Sequence, residues 1–247
     1  INAVPNDINA VIDITNNGEP FEGTLSDGAN EILISVVSSD GSDHKTYTVT
    51  IDNSYFIAED FSNVSDDAWG FTGSGGASVK TNSVPNAEGL TEGALKLLAS
   101  NGSGKYAEKV LDDEITEQKN IHISFDWQSN VIQGKSRYSY IALQDRNGKL
   151  IFGMFATGKD KVCYMLNDET NFDNQIESFS NSWYRIELDI DFEAAVLSGS
   201  ITNLSSGETV KTFENEAITN GAENLAKLYA NDVYSAATMS IDNVYIK

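Results

Sequence analysis

From Trp183 to Glu193 the chain reads Trp-Tyr-Arg-Ile-Glu-Leu-Asp-Ile-Asp-Phe-Glu, the densest run of chemically capable side chains in the sequence. In an extended strand, period two places Trp183, Arg185, Glu187, Asp189, Asp191 and Glu193 on one face and Tyr184, Ile186, Leu188, Ile190 and Phe192 on the other. Carboxylates two residues apart stand roughly 6.5–7 Å apart at the backbone, within reach of the ~5–5.5 Å separation that a retaining glycosidase needs. Arg185 beside Glu187 supplies a simpler use, charge balance worth about 0.2–1 kcal/mol on an exposed face. The face is therefore read as solvated and partly paired, not catalytic. His122 shares its strand face with Ser124, Asp126 and Gln128, opposite Ile121, Ile123, Phe125 and Trp127, and is read as an ordinary polar-face histidine. The lone Cys163 excludes an internal disulfide and a cysteine-based zinc site, and its apolar setting, Val162-Cys163-Tyr164-Met165-Leu166, reads as core.

Sugar binding requires a different set: aromatic faces for the apolar side of a pyranose ring, flanked by amide, carboxylate or guanidinium groups for the hydroxyls. The best such mixture is Gln133-Gly134-Lys135-Ser136-Arg137-Tyr138-Ser139-Tyr140. There Ser139, Ile141 and Leu143 share one face, and Tyr138, Tyr140 and Gln144 share the other. If the first face is core, both tyrosines point outward with Arg137 and Gln133 in the adjoining loop; the alternative is that they pack beneath a loop. Trp69, in Asp66-Asp67-Ala68-Trp69-Gly70, is a second candidate for ligand stacking or for a core plug. Trp127 and Trp183 follow strand patterns and are expected in the core. The acidic stretch 167–174 carries one aromatic, Phe172, and suits a rim or a cation site.

The elements that must position these groups are strands. Short apolar/polar alternations, separated by clusters of Gly, Asn, Asp and Ser, run from end to end of the 247 residues. The clearest are 94–98, 121–128, 138–144, 150–155, 161–166, 183–192, 195–203 and 239–246. Asp145-Arg146-Asn147-Gly148 is a hairpin signal between Leu143 and Leu150. Helical spacing is confined to 220–229, where Ala222, Leu225, Ala226 and Tyr229 recur, a stretch short enough to be a loop turn. The predicted fold is all-β, a two-sheet antiparallel jelly-roll β-sandwich over 54–247 with a small additional N-terminal β unit over 1–53. Lys+Arg 16 against Asp+Glu 37 gives 16 − 37 = −21, so nucleic acid and anionic membrane surfaces are excluded as partners by repulsion. No run of about 18 apolar residues predicts membrane insertion. The chain begins at Ile1, and the expectation is a fragment of a longer protein with covalently attached neighbouring domains.

In the first unit, Leu25-x-x-Gly28-x-Asn30-x-Ile32-x-Ile34-x-Val36, then Asp40-Gly41 and Thr46-Tyr47-Thr48-Val49, resembles the closing half of the bacterial cadherin-like β-sandwich repeat. That resemblance implies a multimodular surface protein or carbohydrate-active enzyme. Ile32, Ile34 and Val36 point one way, and Asp40-Gly41 reverses the chain into a partner strand whose Tyr47 and Val49 share a face.

In the larger unit, Glu59-Asp60-Phe61 before Trp69, Ile123-Ser124-Phe125-Asp126-Trp127, Trp183-Tyr184-Arg185-Ile186-Glu187-Leu188 and Ile241-Asp242-Asn243-Val244-Tyr245-Ile246 resemble concanavalin-A-like jelly-roll modules. The resemblance implies a secreted, non-catalytic carbohydrate-binding module of the kind attached to bacterial polysaccharide lyases and glycoside hydrolases, with a polysaccharide or oligosaccharide as partner. The ligand-binding candidates are Tyr138, Tyr140, Arg137, Gln133, Gln144 and Trp69. It also implies a structural Ca2+ pinning the terminal strands, with Asp60 and Asp242 as ligands and Glu59 as a weaker third. Two alternatives stand beside it: a structural or adhesive spacer of a bacterial surface protein, and a jelly-roll hydrolase or lyase. Glucanases on this fold place a Glu where Asp191 stands, and the phrase before Glu187 is that of non-catalytic jelly rolls.

Overall fold

Alternating side chains form strands because each face of a pleated ribbon then meets one environment, and the burial of β15 (Tyr184–Asp191) follows that rule. Tyr184, Ile186, Leu188 and Ile190 are buried, whereas Glu187 and Asp189 are exposed. The computed structural model describes residues 3, 9–26, 28–52, 54–59, 61, 72–73, 78–80, 94–98, 105–130, 139–157, 161–168, 174–178, 181–232 and 238–247. Among these the strands form three sheets, every pairing antiparallel, with one short helix, α1 (Asp113–Thr116). The chain divides into two units, residues 1–56 with Lys247 and residues 57–246.

The N-terminal unit is one sheet, ordered β2 (Glu19–Pro20), β1 (Val11–Asn16), β3 (Ala29–Val37), β4 (His44–Asp52). Register places Ile14, Ile34 and Tyr47 in one row and Asn16, Ile32 and Val49 in the next, so the apolar residues share a face. Ile32 is buried, while Tyr47 and Val49 remain 47% and 42% exposed. Asn30, fully buried, accepts from Ser26 N and Asn16 Nδ2 and donates to the carbonyls of Ser26 and Gly28. Its side chain thus closes the entry loop, with Gly28 at φ +84°.

The larger unit has two sheets. One runs β17 (Glu208–Ala217), β16 (Val196–Asn203), β15, β10 (Asn120–Asn130), β19 (Thr238–Ile246), β8 (Leu95–Leu98), β7 (Ser78–Lys80), with β5 (Ile57–Glu59) also paired to β19. The other runs β14 (Gln175–Ser178), β13 (Lys161–Leu166), β12 (Leu150–Thr157), β11 (Ser139–Gln144), β18 (Lys227–Asp232), β9 (Lys105–Val110), β6 (Thr72–Gly73). Their facing sides make one core: Ile123, Phe125, Trp127, Ile186 and Leu188 from the first sheet meet Ile141, Leu143, Phe152, Met154 and Leu228 from the second. Each such large side chain, fully buried, contributes about 1.5–3 kcal/mol. Trp127 and Trp183 lie in the interior as expected, at 0% and 7% exposure.

The stretch 220–229 is no helix, as its shortness allows: residues 218–226 are a loop, and Tyr229 belongs to strand β18. Asn220 draws the chain out of helical geometry, its amide donating to the carbonyls of Leu150 and Asn167 and its Oδ1 accepting from Ala222 N, while Gly221 takes φ +71°. Arg185 does not balance Glu187; it turns across to Asp126 on the neighbouring strand.

Candidate functional site

Strand β11 enters the core with Ile141 and Leu143, so Tyr140, Ala142 and Gln144 face away from it. On that outer face Ala142 pairs with Tyr229 of β18 on one side and Gly153 of β12 on the other, and Tyr140 pairs with Phe155. The outer face is apolar and closed to solvent at its centre: Ala142, Leu150, Phe155, Cys163 and Met165 form a second buried cluster, and Tyr140 and Tyr229 pack against it, each half-buried. The two tyrosine rings have centroids 6.0 Å apart and planes inclined at 45°, a tilted aromatic pair of ordinary spacing. Gly153 leaves room for the Met165 side chain to pack across it: a Cβ there would fall 2.6 Å from Met165 Cε and 2.7 Å from the Ile141 carbonyl oxygen.

Polar groups border the pair. Register sets Glu108 of β9 beside Tyr229, and Lys227 two residues before Tyr229 on the same face, flanked by Gln144 and Val110. Lys227 Nζ stands 3.8 Å from Glu108 Oε2, with side chains 28% and 25% exposed. Gln144 is buried at 8%, and Val110 is 55% exposed. Of the residues expected to bind ligand, Tyr140 and Gln144 are thus brought to one face. Gln133, Arg137, Tyr138 and Trp69 lie outside the described residues. Tyr229, Lys227 and Glu108 escaped the sequence reading; the usable signal was the period-two placement of Lys227, Tyr229 and Asn231, masked by the helical spacing just upstream.

The outer face of the other sheet is polar. His122 Nδ1 and Asp189 Oδ1 lie 2.8 Å apart. These two residues line, with Asp191, Ser198 and Asn215, a shallow depression of about 390 Å³. Glu187 is not among its lining residues, and Asp191 Oδ1 accepts from the Glu193 and Ala194 amides in the β15–β16 turn. The three carboxylates therefore do not converge. Deeper on the same face, fully buried Asp126 receives Arg185 through Nε to Oδ1 and Nη2 to Oδ2, both at 2.8 Å, and Asn243 Nδ2 at 2.8 Å. Asp242, the cross-strand partner of Asp126, is buried and accepts from Asn243 N. Glu59 pairs with Val244 at the same end of β19, and Asp60 lies outside the described residues. Among the described residues no three carboxylate, imidazole or thiol groups cluster as a metal site, and no helix is long and apolar enough to cross a membrane.

No protein-family model matches the chain, and no curated protein matches it. Solved structures do. A sialidase aligns over 88% of this chain and 21% of its own, at 13% identity and TM-score 0.54. A carbohydrate esterase of a Shiga toxin-encoding bacteriophage aligns over 78% of this chain and 97% of its own, at 18% identity and TM-score 0.51. Lectin II from Ulex europaeus aligns over 78% and 99%, at 9% identity and TM-score 0.51. The likeness is one of fold. The larger unit is an antiparallel jelly roll of the lectin type, and this chain spans about a fifth of the sialidase.

Proposed function

We propose that residues 57–246 are a non-catalytic carbohydrate-binding module that takes a glycan on the outer face of the seven-stranded sheet. The Tyr140–Tyr229 pair carries this reading, because it sets two half-buried aromatic rings beside Gln144, Lys227 and Glu108, backed by a buried apolar cluster. Tilted rings stack on the apolar faces of pyranoses, and the bordering groups take hydroxyls. Gln133, Arg137, Tyr138 and Trp69 are proposed to extend the same surface. The lectin-type fold supports a sugar-binding role by analogy. The biological use is passive targeting in a secreted bacterial protein: a weak module tethered to a catalytic or surface domain raises the effective concentration of that domain on its polysaccharide.

A structural Ca2+ is proposed at the β5–β19 end, held by Asp60 and Asp242 with Glu59. The antiparallel pairing of β5 with β19 supports it, since it brings Glu59, next to Asp60 in sequence, onto the strand that carries Asp242. A melting temperature indifferent to chelator and to added calcium removes that proposal. Affinity electrophoresis of the 247-residue chain in gels containing xylan, mannan, β-glucan, fructan or pectin, with and without calcium, tests the main reading. Retardation in at least one gel, lost in Tyr140→Ala and Tyr229→Ala, is expected. Unretarded migration in every gel would point to a spacer.

A further inference from the structure

The Glu108–Lys227 ion pair is not closed by a direct hydrogen bond. Its 3.8 Å separation is beyond the ~2.7–3.2 Å of a hydrogen bond, and the two side chains make no other polar contact among the described residues. Both side chains are about a quarter exposed, and neither head group is closed off from solvent, so a ligand hydroxyl can reach them. Glu108 is the direct cross-strand partner of Tyr229, and Lys227 lies two residues before Tyr229 on the same strand, so both border the aromatic pair. A hydroxyl that donates to Glu108 and a neighbouring hydroxyl that accepts from Lys227 would complete both groups in a single step.

We propose that Glu108 and Lys227 are the specificity-determining residues of this face, and that together they select an uncharged glycan through a pair of adjacent hydroxyls; this rests on the reading of the face as carbohydrate-binding. The pair has no net charge, so it offers an anionic sugar no cation that Glu108 does not already claim. The chain around it carries −21, which repels a polyuronate at every approach. A neutral diol meets neither obstacle. Exposed Val110, next to Lys227 in register, adds apolar surface on the side away from Tyr140.

The test is calorimetric titration of the whole chain with soluble xylan, mannan, β-glucan and fructan, and with polygalacturonate and alginate, at low and high sodium chloride. Neutral glycan binding that changes less than twofold with salt is expected, with no binding of either polyuronate. Glu108→Gln and Lys227→Met should each weaken the neutral ligand about tenfold, as loss of a hydrogen bond to a charged group does, with circular dichroism and thermal unfolding showing that each variant folds. If a neutral glycan binds and Tyr140→Ala abolishes binding while both charge variants bind normally, the selection role is wrong and the aromatic site survives. A polyuronate that binds and is released by salt also overturns it. Failure of every glycan to bind overturns the module itself.

Discussion

Replacing Arg185 by Met tests what holds the polar face of the eight-stranded sheet. Asp126 has no solvent exposure, and the two-point contact from Arg185, itself 39% exposed, supplies its neutralising charge. Asn243 donates one further bond but no charge. Arg185→Met keeps the aliphatic stem and leaves a buried carboxylate facing only an amide. Removing one partner of a buried pair costs about 3–5 kcal/mol, and the part-exposed guanidinium argues for the low end, about 3 kcal/mol. For a unit of this size that lowers the melting temperature by about 6–12 °C. Asp126→Asn/Arg185→Met removes both charges while leaving an oxygen for Asn243, so the double variant should be more stable than Arg185→Met alone. Urea and thermal unfolding of the four proteins in the cycle give the coupling directly. A loss under about 1 kcal/mol in Arg185→Met, or strict additivity of the two changes, would mean that Arg185 does not stabilise the Asp126 carboxylate.

Gly199 should tolerate no side chain: at φ +150° an added Cβ would lie 2.0 Å from the Glu187 carbonyl oxygen, so Gly199→Ala is expected to destabilise by about 3 kcal/mol or more, measured by urea unfolding. Asp189→Asn and Glu187→Gln, on exposed positions, should each stay within about 0.5 kcal/mol of wild type and leave glycan binding unchanged. Asp40 has its pKa lowered to about 2, first by the Ser38 hydroxyl and then by the Ser42 amide and hydroxyl. Because the folded value lies below the unfolded one, Asp40 contributes its stabilisation above the ordinary carboxylate range and loses it as pH falls toward 2. An NMR titration should place the Asp40 midpoint near 2 in the parent and near the ordinary value in Ser38→Ala/Ser42→Ala.

Strands with one wet face were legible because their residues alternate. In β10, Ile121, Ile123, Phe125 and Trp127 are buried, and His122, Ser124 and Gln128 are half-buried on the other side, as the sequence pattern requires. The same pattern identified β11 and β15 and fixed which way Tyr140 and Glu187 point. Strand β17, Glu-Thr-Val-Lys-Thr-Phe-Glu-Asn-Glu-Ala, was less visible: it is an edge strand whose register shifts twice against β16, so no single phase of alternation survives along it. Its charged residues suit an edge that must not recruit another chain.

The candidate site was half legible for a related reason. Tyr140 sits in a strand flanked by a recognisable hairpin, whose Asp145 carboxylate accepts from the Asn147 and Lys149 amides, so its face could be assigned. Tyr229 could not be, because Ala222, Leu225 and Ala226 are buried from a loop and imitate a helical stripe without helical hydrogen bonds. What supports that loop is remote in sequence: Asn167 accepts from Thr219 N at its start, 52 residues away, and Asn220 donates from within it to the Leu150 carbonyl, 70 residues away. A pattern of apolar residues reports burial alone; which backbone partners accompany that burial depends on side chains far along the chain. The Tyr140–Tyr229 pair and the Glu108–Lys227 pair both span β18 and its neighbours, so the site was legible only as far as the ladders of β18 with β11 and β9, which join residues more than 80 apart in sequence.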